Sequence, residues 1–279
     1  MPMTINTNLI SMNAQRNLNM SQSALSTSMQ RLSSGLRVNS AKDDAAGLAI
    51  AERMNSQVRG MNVAVRNAND GISLAQTADG ALASVGDSLQ RMRELAVQAL
   101  NSTNSGSDKD SLNQEFQQLG SEIGRVLAGT SFNGAAILGG SAGALTFQVG
   151  ANTTANDSIT ITTTNMTTDA SITAVTGAVI DSTTSTATLN TVVNNIDAAI
   201  NDVNGKRAVF GASQNRFNAV VSNLQSSVEN QSAAASRITD ADFASETANM
   251  SRSQILQQAG TAMVAQANQL PQSVLKLLQ

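Results

Sequence analysis

The stretch LSSGLRVNSAKDDAAGLAI, Leu32 to Ile50, sets a Gly, an Arg, an Asn, a Lys and two adjacent Asp between segments made otherwise of Ala, Leu, Met, Ser and Gln. Two kinds of chemistry would use such a cluster. A phosphate loop needs GxxxxGK[ST], whereas Gly35 is followed by LRVNSAKDD. A general acid/base pair needs two carboxylates converging on one point, and Asp43 and Asp44, as sequence neighbours, point to different faces of a helix. What remains is structural: Ser40 or Asp43 caps a helix that begins here, with the carboxylates in its first turn.

Other polar clusters read the same way. In QRMRELAVQ, Gln90 to Gln98, the spacing turns Leu89, Met92 and Ala96 inward and Gln90, Arg91, Arg93 and Glu94 outward, as on a solvated helix face. Asp108-Lys109-Asp110 and Asp240-Ala241-Asp242 each offer two carboxylates without the further oxygen ligands and Gly of a calcium loop, so helix capping is their expected use. The sequons NTT, NDS and NMT fall in a Ser/Thr-rich stretch whose hydroxyls are candidates for O-linked modification.

The chain has 279 residues, no His, no Cys, no Trp, no Tyr and six Phe. The usual base at neutral pH, the soft metal ligands and the thiol nucleophile are therefore missing, and no catalytic, cofactor or metal site is expected. With 2% aromatic residues, Ala, Leu, Val, Ile and Met must do the packing, which suits thin helical layers. A net charge of −3 gives no electrostatic footprint for nucleic acid. No run is long and apolar enough for membrane insertion. The first thirty residues lack the pattern of a cleaved signal peptide.

The elements that carry these groups follow from apolar periodicity. Met54, Met61, Ala68, Ala75, Leu82, Leu89 and Ala96 recur every seven residues, beside Val58, Val65, Ile72 and then Ala78, Val85, Met92. This stripe predicts a helix from Asp43 to about Leu100 packed against other helices. After the loop NSTNSGSD, Asp108 or Asp110 caps a second helix running to about Ala128, antiparallel to the first. Asn133-Gly134 and the alternation in LTFQVG predict a small hairpin. Residues 152–188 form a short β-rich or irregular insert expected to be exposed. The stripe returns at Leu189, Ile196, Val203, Phe210, Phe217 and Leu224. The last segment has two rows, Leu256, Met263, Leu270, Leu277 and Gly260, Ala267, Val274, and Pro271 should kink it or remove one hydrogen bond. Leu18, Leu25 and Leu32 give the first segment its own row. The fold class expected is mainly α: long coiled-coil-like helices formed by the N- and C-terminal segments, with a β-hairpin and a small insert. Terminal stripes with little else to hold them in water invite further copies, and a repeated head-to-tail contact would give a helical polymer.

Five motifs occur in order: INTNLISMNAQRNL, RLSSGLRVNSAKDDAAGLAIAERM, DGISLAQTADGAL, LQRMRELAVQALNSTNS and SRSQILQQAGTAMVAQANQLPQSVLKLL. On these the chain resembles bacterial flagellin, in a short form with a minimal outer domain. The resemblance implies an inner domain from 1–42 and 239–279, a middle helical domain from 43–151 and 189–238, and a variable outer insert at 152–188. It implies a structural subunit that polymerises into the flagellar filament for motility, packed in the inner domain by Leu18, Leu25, Leu32, Leu256, Met263, Leu270 and Leu277. Gly35, Arg37, Asn39, Lys42, Asp43 and Asp44 become the inter-domain connector.

The partners it implies are further copies of the chain, a type III flagellar export apparatus and export chaperone, the filament cap protein, hook-filament junction proteins and the innate receptor TLR5 of a host. Gln90, Arg91, Leu95 and Glu115 match positions used for receptor and assembly contacts. The location implied is extracellular, reached without a cleaved signal peptide. A hook-filament junction protein of the same machinery is the alternative. A membrane chemoreceptor would need spans, and an enzymatic insert would need His, Cys or an acidic pair.

Overall fold

Apolar side chains every three or four residues, and no Pro between Ala45 and Ala99, let one helix run unbroken over that range. The structure, a computed structural model, describes residues 7–276, with side chains up to Gln269. The elements in order are α1 (Leu9–Ser34), α2 (Ala45–Ala99), α3 (Gly106–Gly129), β1 (Ser131–Phe132), β2 (Ala135–Ala136), β3 (Ala144–Gln148), β4 (Ser158–Thr162), α4 (Ala170–Thr176), α5 (Thr186–Thr239) and α6 (Phe243–Lys276). Helix α6 continues through Pro271 without a break in its assignment. The chain divides into two compact units, Met1–Ser56 with Asn230–Gln279, and Gln57–Glu229.

The Gln57–Glu229 unit is built on an antiparallel pairing of α2 and α5. The Phe217 ring lies over Gly71, where a Cβ would come within 2.8 Å of its Cζ, and ion pairs join Asp79 to Arg207 and Arg93 to Asp197. The predicted rows are the buried ones: Ala68, Ala75, Leu82, Leu89 and Ala96 on α2 meet Leu189, Ile196, Val203, Phe210 and Phe217 on α5. A second cluster at Met61, Ala64 and Leu224 extends this packing. Helix α3 adds Phe116, Ile123 and Leu127 to the core.

Its start differs from expectation. Ser105 is the N-cap, and Asp108 reaches back to the Ser105 N–H at 2.9 Å, completing a capping box. Asp110 instead accepts from the N–H of Ser182 at 2.9 Å.

Asn133 and Gly134 both have positive φ, 50° and 81°, and close the two-residue turn between β1 and β2, the conformation that this dipeptide favours. The LTFQVG strand belongs to a different pair. Strand β3 joins β4 antiparallel, with Leu145 opposite Ile161 and Phe147 opposite Ile159 facing the core, and Thr146 opposite Thr160 facing outward with hydroxyls 3.1 Å apart. Phe147 meets Phe217 edge to face, centroids 5.6 Å apart.

Residues 152–188 are not the exposed segment that their Ser/Thr content suggests. Ile159, Ile161, Met166, Ile172, Val175 and Ile180 are buried in the main core. One face of α3 receives the stretch from Thr176 to Ser182 through a polar row: Gln117 donates to the Ala178 carbonyl at 2.7 Å, Asn113 accepts from Ile180 N–H at 3.1 Å, and Asp110 holds Ser182. Gly120 ends the row, with the Thr176 backbone 3.5 Å from where its Cβ would be. The spacing 110, 113, 117, 120 is one helical face, so α3 satisfies backbone groups of a connecting stretch that has no strand partner.

Two glycines of this unit should respond in opposite directions. Gly71→Ala places a methyl against the Phe217 ring and should cost about 1–3 kcal/mol. Gly205→Ala, in α5 with open space around it, should add roughly 0.5–1 kcal/mol through helix propensity. Thermal unfolding followed by circular dichroism would check both signs.

Candidate functional site

In the unit formed by Met1–Ser56 and Asn230–Gln279, α1 and α6 run antiparallel. Asn8 Nδ2 donates to the Ala267 carbonyl at 2.8 Å, Ser11 Oγ to Asn268 Oδ1 at 2.7 Å, and Arg31 lies 3.8 Å from Glu246 at the other end. The seam residues recur every seven positions: Glu246, Ser253, Gly260 and Ala267 on α6, and Ser11, Leu18, Leu25 and Leu32 on α1. Gly260 lies against Leu18, whose Cδ1 would be 3.2 Å from a Cβ there. Small residues on α6 thus let the two helices approach closely.

Of the expected packing residues, Leu18, Leu25 and Leu32 are on this seam and half-buried. Leu256 and Met263 are not: they lie on the flank of α6, 50% and 58% exposed, because Gly260 and Ala267 occupy the inward row. Leu277 lies outside the described residues, as does the side chain of Leu270. Leu9, Ile10, Met12, Met20 and Met29 on α1, with Phe243 and Ile255 on α6, are exposed as well. Half or more of each of these side chains faces water.

The connector turns its polar groups onto nearby backbone, its own and that at the end of α5. Gly35 ends α1 in the left-handed conformation, φ 72°, its N–H donating to the Arg31 carbonyl. Leu36 bridges Asp240, Arg37 N–H donates to Thr239 O, and the Arg37 guanidinium donates to Ile238 O at 2.6 Å. Asp43 Oδ2 accepts from the N–H groups of Asn39 and Ser40 and from the Ser40 hydroxyl. These bonds, the Asn39 N–H foremost, hold its carboxyl below the ordinary value. Neither Ser40 nor Asp43 caps α2. Asp44 does, accepting from Gly47 N–H at 2.8 Å. Lys42 is exposed. Asp242 similarly caps α6 through the Ala244 N–H.

On α2 within the other unit, Gln90, Arg91, Arg93 and Glu94 are exposed as expected. Arg91 Nε meets Glu115 Oε1 at 2.8 Å and its Nη1 meets Glu94 Oε2 at 2.9 Å; the Glu115 bond is the larger cause of its raised pKa. Arg93 pairs with Asp197 of α5 at 2.6 Å, which raises the guanidinium pKa and lowers that of the carboxyl. Leu95 is absent from this surface. It is fully buried, about one turn from Met92, so it cannot be touched while the unit is folded. Asp197 had no sequence signal, since nothing in its own helix points to a residue 104 positions away.

The N-terminal 5–143 match the profile described as "Bacterial flagellin N-terminal helical region", and 193–278 match "Bacterial flagellin C-terminal helical region". The chain belongs to the bacterial flagellin family. It is 46% identical over 276 residues to the flagellin of Halalkalibacterium halodurans, across 99% of this chain and all of that one. Against the flagellin of Bacillus subtilis, identity is 41% over 305 residues, across 99% of this chain and all of that one. The crystal structure of Bacillus cereus flagellin aligns with 57% of this chain and 88% of that one, at 34% identity and a TM-score of 0.49. As a flagellin, the chain is a structural subunit that self-polymerises into the extracellular flagellar filament. Among the described residues no helix is long and apolar enough to cross a membrane, and no group of three potential metal ligands occurs.

Carboxylates held by hydrogen bonds and by one ion pair give this flagellin an acid dependence. Asp43, Asp108, Asp169, Asp181 and Asp197 all have lowered pKa values, so the folded chain binds fewer protons than the unfolded one. Their contribution is complete above the ordinary carboxylate value and is lost as pH falls through the folded values. The urea midpoint should be flat from about pH 7 to 5 and fall below about pH 4. Asp108→Ala should lower the neutral-pH midpoint and shrink the acid-induced drop. A midpoint unchanged down to pH 2 would contradict this account.

Proposed function

We propose that filament assembly proceeds through the exposed apolar side chains of α1 and α6, packed against the same segments of neighbouring copies. In this reading 1–42 and 239–279 form the inner part of the tube and 43–151 with 189–238 its middle layer. The observation that carries it is the seam: a helix pair that buries small residues between its members leaves Leu9, Ile10, Met20, Leu256 and Met263 facing water. Exposed apolar groups of this number mark an interaction surface. The Leu270 and Leu277 positions continue the Leu256–Met263 row in sequence and belong to the same proposed contact.

The finer partners are proposed on the family relationship. Export through the flagellar apparatus with its chaperone, placement under the cap protein and abutment on hook-filament junction proteins belong to a chain of this kind. Gln90, Arg91 and Glu115 are proposed as the shared contact for neighbouring subunits and for TLR5, supported by the exposure of all three and by the fixed orientation that Glu94 and Glu115 give Arg91. The role is structural, without turnover.

Leu256→Asp and Met263→Asp test the assembly reading. Each puts a carboxylate where the solitary chain has water, so the monomer should keep its melting temperature, whereas a neighbour would have to bury an unpaired charge. Sedimentation and electron microscopy should show loss of filaments. Normal filaments from both variants would refute the proposal.

A further inference from the structure

Methionine is distributed unevenly over the terminal helices. The leucines Leu18, Leu25 and Leu32 take the α1 seam, while Met12, Met20 and Met29 are 51%, 61% and 52% exposed on the same helix, and Met263 is exposed on α6. At about 100° per residue, Met20 and Met29 lie on opposite sides of α1. The sulfurs therefore sample more than one of the faces that neighbouring copies would cover. In the other unit Met61, Met92 and Met166 are buried.

We propose that Met12, Met20, Met29 and Met263 are oxidation sites that make assembly sensitive to hydroperoxides: open in the free subunit, shielded in the filament, and blocking incorporation once converted to sulfoxides. This rests on the assembly reading above. The step is a two-electron transfer of oxygen. The thioether sulfur attacks the distal peroxide oxygen, a S–O bond forms as the O–O bond breaks, and with hydrogen peroxide the departing oxygen leaves as water after taking up the proton. Methionine is oxidised and the peroxide reduced. The product replaces a flexible apolar tip with a strong hydrogen-bond acceptor, which an apolar contact between copies has no donor to satisfy. Because half or more of each side chain already faces water, oxidation leaves the monomer folded. A core methionine would not have that property.

The test treats purified full-length monomers and preformed filaments with hydrogen peroxide and maps sulfoxides by peptide mass spectrometry. In monomers the four sites should oxidise while Met92 and Met166 stay reduced, and in filaments the four should react about tenfold or more slowly. Oxidised monomer should keep its circular dichroism melt yet show a critical concentration for polymerisation raised by about tenfold or more. Methionine sulfoxide reductases of both stereospecificities should restore it. The combined variant M12L/M20L/M29L/M263L, apolar and of similar volume, should polymerise like the parent and be indifferent to peroxide. Normal polymerisation of parent protein oxidised at all four sites, equal oxidation rates in monomer and filament, or continued peroxide sensitivity of the variant would each overturn the proposal. Failure of the assembly reading would show separately, as unimpaired filaments from Leu256→Asp.

Discussion

Gly260 resting on Leu18 states the constraint from which the terminal unit follows. A heptad row of Glu246, Ser253, Gly260 and Ala267 cannot fill a wide interface, so α1 and α6 come together until backbone and short polar groups meet, as in the Asn8 bond to the Ala267 carbonyl. Close approach leaves Leu256 and Met263, the longer apolar side chains of α6, on its flank. In a pair packed by leucine on both helices the order would be reversed, with the large groups inside and the polar ones outside. Here the seam leucines of α1 share the interior with polar groups, the buried Ser11, Ser28 and Ser253 and the nearly buried Glu246 opposite Arg31. Such a seam orients the helices without supplying much hydrophobic stabilisation, which an amphipathic pair needs in order to persist in water.

The Gln57–Glu229 unit solves the opposite problem. Its rows on α2 and α5 bury Leu82, Leu89, Met92, Ile196 and Phe217 almost completely, and α3 with the β3–β4 pair closes the remaining sides. Polar groups there serve to place backbone. The α3 row of Asp110, Asn113 and Gln117 supplies partners to a stretch that has no neighbouring strand, while Asp169 and Asp181 tie nearby hydroxyls and N–H groups into local turns. The surface ion pairs of Arg91 and Arg93 link α2 to α3 and to α5, and at their exposure they add orientation more than stability.

Periodicity made the long helices legible because seven-residue rows survive any choice of partner: every member of the Leu189 to Leu224 row is buried. At α6 the sequence holds two parallel rows, and the more hydrophobic one faces outward. Hydropathy ranks Leu256 above Gly260, whereas a close antiparallel crossing selects for size. Leu95 was misplaced for a related reason. Its neighbours Gln90 and Arg91 are exposed, but at 3.6 residues per turn it falls one turn beyond Met92, on the buried side. In the insert, Ser and Thr content suggested solvation, yet those hydroxyls bond to nearby backbone, as Thr173 does to Asp169 O and Thr176 to Ile172 O, freeing the interspersed Ile and Val for the core. Capping residues were legible to within a few positions. Their identity depended on which residue first took helical geometry, and Asp44 rather than Asp43 holds that place.

The six phenylalanines divide the chain more sharply than any boundary in its composition. Phe116, Phe132, Phe147, Phe210 and Phe217 all lie in or against one core, and Phe243, the one Phe in the terminal unit, is exposed. A phenylalanine contributes more buried area than any other residue type present, so a unit that buries three and half-buries two more has a cohesive energy that a unit burying none must obtain elsewhere. The terminal unit has half-buried leucines, a glycine-lined seam and a large apolar exterior. Its missing area can come only from surfaces outside its own seam, and the assembly proposed above would supply them as repeated copies of the same two helices. In that reading the scarcity of aromatic residues, which first argued against a thick globule, becomes a reason for the polymer: stability is divided between a core completed on folding and an interface completed on assembly.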